Sequence, residues 1–123
     1  PAVVDAELSA IVRRPWTWRG QPLRFEVVLD AADLPFQPWL SSFGPRDWSA
    51  ISAWSDDAEL WRAEVHATPF ARLFIDRGAA DLGALRHAHR YERFRCWGVV
   101  REIHLGQPWI EVVRAEPLLD DVP

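Results

Sequence analysis

The sequence predicts an all-β domain with minor α that closes as a small barrel. Three observations carry that expectation. Leu23 to Leu29 alternates apolar and polar residues with the period of two that a half-buried strand requires. Residues Tyr91 to Leu118 read as two further strands joined by a tight turn at Gly106, with Gly98 inside the first of them. Between these ends lie two shorter strand-like runs and a helical stretch rich in Arg.

Each element follows from its local pattern. Asp5 to Arg14 begins acidic and ends basic, as suits the dipole of a short helix, and Pro15 stops it. A loop with Gly20 and Pro22 leads into the first strand, Leu23 to Leu29, with Leu23, Phe25, Val27 and Leu29 on its core face. Asp30 to Asp47 holds Pro, Gly, Ser and several aromatics, among them Phe36, Trp39 and Phe43. Long aromatic loops of this kind carry function or cover a core.

Trp48 to Trp54 is the second strand. Its faces are Trp48/Ala50/Ser52/Trp54 and Ser49/Ile51/Ala53. Ile51 and Ala53 suit a small barrel interior better, so the Trp face is assigned outward on side-chain size alone. Asp56 to Val65 reads as a helix with an Asp cap, or equally as a loop. Phe70 to Arg77 is the third strand, with Leu73 and Ile75 on one face and Arg72, Phe74 and Asp76 on the other. Ala79 to Arg90 is the helix between the third and fourth strands, its apolar stripe formed by Leu82, Leu85 and His89. In the closing hairpin, Phe94, Cys96, Gly98, Val100, Ile110 and Val112 form the core face.

Length and composition bound the rest. The chain has 123 residues, enough for one domain. We divide it into a helical lead-in (1–20), a barrel (21–116) and a tail (117–123). A domain of this size buries roughly 65% of its unfolded surface, so it can fold without disulfides or metal. Hydrophobic residues make up 49%, which excludes a disordered chain. No apolar run reaches the ~18 residues of a membrane span, so no membrane insertion is expected. Pro1-Ala2 with no Met in the chain fits removal of an initiator Met, and the single Cys96 fits a reducing compartment; together they favour a cytoplasmic location.

All fourteen basic residues are Arg, and the net charge is −4, so the overall field repels phosphate backbones. Eight Trp is an unusual number, more than a small barrel can bury fully.

The order strand, strand, strand, helix, strand, strand is that of a five-stranded Greek-key barrel. At the residue level the text resembles small bacterial oligonucleotide/oligosaccharide-binding (OB) domains. Gly20, Leu23 and Phe25 match their first-strand opening. Cys96, Gly98, Val100, Gly106, Trp109, Ile110 and Val112 match their last hairpin. The resemblance covers about residues 8–116, and its motifs mark a fold and name no ligand. It implies a ligand face on the second and third strands, with Trp48, Trp54, Arg72 and Phe74 outward. The loops Leu34 to Asp47 (with Phe36, Trp39 and Phe43) and His104 to Pro108 would flank it.

Aromatics beside Arg are what a single-stranded nucleic-acid site needs, each stacked base contributing roughly 1–3 kcal/mol. Trp and Arg are also enriched at protein interfaces. With net charge −4 and no Lys, a protein partner or homo-oligomer is the first expectation and single-stranded nucleic acid the alternative. Arg86, Arg90, Arg93, Arg95 and Arg101 interleave with Glu92 and Glu102 and read as a solvated, salt-bridged face. His87, His89, Cys96 and His104 lack zinc-ligand spacing, and no metal or cofactor is expected. Asp56, Asp57 and Glu59 lack an oriented partner for acid–base work, and no nucleophile or phosphate-binding motif is present, so no catalytic residues are assigned and an enzyme is not expected.

Overall fold

The computed structural model describes residues 2–34, 47–66 and 71–118. Six strands occur among them: β1 (Val4–Asp5), β2 (Leu23–Leu34), β3 (Trp48–Ser55), β4 (Ala71–Asp76), β5 (Arg93–His104) and β6 (Gln107–Pro117). The helices are short: α1 (Leu8–Arg13), α2 (Pro15–Trp18), α3 (Ala63–His66) and α4 (Gly83–Arg86), the last led by a 3-10 turn at Ala80–Leu82. No helix among the described residues is long and apolar enough to cross a membrane.

Five strands close on themselves. The order runs β2-β3-β4-β6-β5, and β5 pairs back onto β2. Neighbours are antiparallel except β4 with β6, which are parallel. This closed, mostly-β barrel with minor α is compatible with an OB-like fold. β1 adds two residues in parallel to β2.

The core forms as alternation dictates. Leu23, Phe25, Val27, Leu29, Ile51, Ala53, Leu73, Ile75, Phe94, Cys96, Val100, Ile110 and Val112 are buried in one cluster, joined by Leu8 and Ile11 from α1 and Leu85 from α4. The assignment of the two β3 faces therefore holds, since Ile51 and Ala53 point into the barrel.

Several boundaries differ from the sequence expectation. β2 runs on to Leu34, five residues past Leu29, because β3 pairs along it through Ala31 and Leu34. The 56–65 stretch is helical only from Ala63, after turns. α4 ends at Arg86, so His89 is exposed and Ala88 packs on the core instead. Pro15–Trp18, expected as loop, forms a helical turn with Pro at its first position, where a missing N–H costs nothing. Tyr91 stands before β5 in the left-handed region (φ 74°), its N–H donating to the Leu29 carbonyl.

The β5–β6 hairpin carries two irregularities. Trp97 pairs with Arg114 but Gly98 with Val112, so Val113 is an extra residue on β6, and Val100 pairs with Ile110 but Glu102 with Trp109, so Arg101 is an extra residue on β5. Its two-residue turn is Leu105-Gly106, both at positive φ (52° and 77°), the geometry of a type I′ turn.

Candidate functional site

The outer face of β3 and β4 carries the four side chains expected there, but two of its rings are covered. Trp54 and Phe74 are fully buried, Trp48 is half-buried and Arg72 is exposed. The Trp54 indole N–H donates to the Val65 carbonyl at 3.1 Å, so the segment leaving β3 folds back across it. Tyr91 stacks on the ring at 5.9 Å with an interplanar angle of 11°. The Arg90 guanidinium lies 5.6 Å from the Trp54 centroid and 5.2 Å from that of Tyr91. Asp30 holds Arg90 at 3.0 Å and also accepts the Ser52 hydroxyl at 2.7 Å. Phe74 packs on Trp109 at 5.0 Å, and Trp109 meets His104 at 4.3 Å. Trp54 and Phe74 therefore present no open ring face in this arrangement. Alternation reveals which face a side chain takes, not what lies over it. Phe36, Trp39 and Phe43 lie outside the described residues.

Several arginines besides Arg90 are paired with carboxylates. Arg24 pairs with Asp5, Arg62 with Glu59 and Glu64, Arg95 with Glu26 and Glu116, and Arg101 with Glu111. Arg114 lies 4.4 Å over the Trp97 ring. Within the face expected to be salt-bridged, Arg90, Arg95 and Arg101 meet acids of neighbouring strands: Asp30, Glu26, Glu116 and Glu111. The chain as a whole is acidic, with a net charge of −4.

A second feature was not legible in the sequence. A cleft of about 430 Å³ is lined by Asp5, Ala6, Glu7, Arg24, Phe25, Glu26, Asp56 and Arg95. It forms where the edge of β2 is left uncovered. β1 ends opposite Arg24, and β3 ends at Ser55 opposite Val27. The Ala6 N–H donates to the Arg24 carbonyl, so by strand alternation the main-chain N–H and C=O of Glu26 turn to the same side, into the cleft.

Asp56 and Asp57 meet Glu7 here rather than Glu59, which pairs with Arg62; carboxylate oxygens of the three lie within 4.8 Å of one another. Ser9 ties α1 to Asp57 with a 3.2 Å hydrogen bond. The hydrogen bond that protonated Glu7 donates to the Asp56 carboxylate, followed by the Asp56 charge, raises Glu7 above the ordinary glutamate range; burial, Asp57 and Glu26 add to the shift. Asp5 is shifted the other way by its hydrogen bonds from Arg24.

A raised carboxyl favours folding while it is protonated, and that contribution is lost as pH rises through the raised value. Glu7→Gln should therefore stabilise the fold near neutral pH, by a few tenths of a kcal/mol for so exposed a site. The gain over wild type should vanish in acid, where Glu7 is itself neutral. Thermal melts of both proteins at acidic and neutral pH check this. A difference that does not change with pH would remove the carboxyl pair as its cause.

Cys96 faces the core, where burial pushes its thiol up to about 12, so it carries no thiolate near neutral pH. Large apolar side chains remain on the surface elsewhere: Trp61 is 81% exposed, Trp16 66%, Tyr91 51% and Leu105 fully so. No family model matches the chain, and neither a curated protein nor a solved structure matches it.

Proposed function

We propose that this chain is a non-catalytic OB-type barrel acting as a binding or assembly module, with another protein as its partner: an accessory subunit of a larger complex, or a second copy of itself. The strand order and the parallel β4–β6 pairing support the OB-type reading. A cytoplasmic setting is part of the same proposal.

The observation that carries the partner class is the contrast between covered and open aromatics. Trp54 and Phe74, the rings suited to stacking bases, are buried, while Trp61 and Trp16 stand in solvent. Exposed Trp costs solubility, and its common use is as an anchor in a protein interface. Arg90, Arg95 and Arg101 are matched by carboxylates.

Two measurements test the proposal. Fluorescence anisotropy with labelled oligo-dT at low salt should show no binding at micromolar protein. Binding that falls steeply with salt would establish the nucleic-acid alternative instead, with Trp48 and Arg72 as its first contacts. Pull-down from the source cells, supplemented by light scattering for self-association, should show a complex that Trp61→Ala or Trp16→Ala weakens without lowering the melting temperature. If neither substitution alters any complex, the exposed Trp are not the contact surface.

A further inference from the structure

Charges that find no partner within the described chain gather at the two ends of one helix. Arg13, Arg14 and Arg19 stand exposed, with no ion pair or side-chain hydrogen bond among the described residues. No acidic residue occurs between Glu7 and Glu26, so their own stretch of chain offers them none. Trp16, 66% exposed, lies between Arg14 and Arg19 in the same stretch. At the other end of α1, carboxylate oxygens of Glu7, Asp56 and Asp57 lie within 4.8 Å of one another. Arg62, the one base of the 56–64 segment, is held by Glu59 and Glu64 instead. Every influence on the Glu7 carboxyl, led by Asp56, raises it, as expected of a cluster that no cation faces. The Ser9 hydroxyl donates to Asp57 but brings no charge.

Like charges gathered without a counter-ion repel one another in the isolated chain. A second copy, turned end for end, brings the opposite charge to both gatherings at once. Glu7 and Arg14 flank α1 seven residues apart, about 10 Å along a helix axis. We propose that this side of α1 is the contact face of a two-fold dimer, in which two copies lie with their α1 helices antiparallel. Arg13 and Arg14 of each copy meet Glu7, Asp56 and Asp57 of the other. A two-fold contact demands a self-complementary surface, which a patch acidic at one end and basic at the other provides. Trp16, beside the basic end, adds the apolar area that charge pairs alone lack. The inference rests on the protein-partner reading and narrows the partner to a second copy. A nucleic acid fits the basic end alone and is repelled by the carboxylates at the other. An acidic surface on a different protein likewise matches only one end.

Sedimentation velocity of the wild-type chain at high micromolar concentration and low salt should show a dimer. Its affinity should fall about tenfold or more between about 0.05 and 0.5 M salt. Arg13→Glu/Arg14→Glu should be monomeric at the same concentration with an unchanged melting temperature, since both side chains are exposed. Asp56→Arg/Asp57→Arg should be monomeric as well. Mixed in equal amounts, the two charge-reversed proteins should form a heterodimer, because every contact then again joins opposite charges. Mixing would not rescue damaged folds. A wild type that stays monomeric, or grows into species larger than a dimer, overturns the proposal, and so does a mixture that stays monomeric. A monomeric wild type that is still recovered in a complex sensitive to Trp61→Ala would leave the protein-partner reading standing without the dimer. If no complex of either kind forms, both fail. Oligo-dT binding that Arg13→Glu/Arg14→Glu abolishes would overturn the dimer in favour of a nucleic acid on the basic end.

Discussion

Gly98→Ala should be among the most destabilising single substitutions in the described chain. A Cβ at this position would lie 2.5 Å from the Glu111 carbonyl oxygen and 3.2 Å from an Ile110 methyl. The first of these is main chain, locked in the β5–β6 ladder beside the extra residue Val113, and cannot rotate away. The two strands must separate or the barrel must open at its closing seam. Overpacking of a core costs typically 1–3 kcal/mol where side chains can adjust. Against backbone we expect about 3 kcal/mol or more, a large share of the 5–15 kcal/mol that holds a domain of this size. In thermal melts that is a fall of roughly 12 °C or more. Gly83→Ala, where a Cβ meets nothing within 4 Å, is the control and should melt at or above wild type. If Gly98→Ala melts with the control, the close approach of the two strands is wrong.

Trp54→Ala should cost a similar amount for a different reason. The ring is fully buried, its N–H is bonded to Val65, and Tyr91 and Arg90 lie over it. Truncating a buried Trp costs about 3–5 kcal/mol. Trp54→Phe keeps an aromatic face but leaves the Val65 carbonyl without its donor, so an intermediate loss of about 1–2 kcal/mol is expected. Tyr91→Ala alone should cost less, since half of that ring faces solvent. A double-mutant cycle between Trp54 and Tyr91, measured by urea unfolding, should show a coupling of about 0.5–1.5 kcal/mol. Zero coupling would mean that the stacked pair contributes nothing beyond its separate burial. One consequence bears on function. Lost binding in Trp54→Ala would report a damaged fold, so the outer face of β3 and β4 is better probed with Arg72→Ala, whose side chain is exposed.

The two substitutions also mark how far local pattern reaches. Gly98 stood out in the sequence as a glycine within a strand, and the structure supplies a reason that local pattern does not carry: another strand's carbonyl comes too close for a Cβ. Trp54 was assigned to the correct face of its strand. Its cover could not be read, because Val65 arrives from a turn beyond the strand and Tyr91 from the far side of a helix. The cleft was missed for the same reason. Asp56 and Asp57 were noticed with their neighbour Glu59, but their partner is Glu7, at the start of α1.

By itself the sequence determined the mostly-β class, the residues that enter the core and the position of the last turn. Those features depend on the period of two in a strand and on the φ that glycine permits, both properties of a few adjacent residues. Only the tertiary structure decided which outer aromatics are covered, which acid meets which arginine, and why Gly98 can be nothing larger. Asp30 and Arg90 are 60 positions apart, and nothing in either neighbourhood names the other. Barrel closure brings such residues together, and closure is a property of the whole chain.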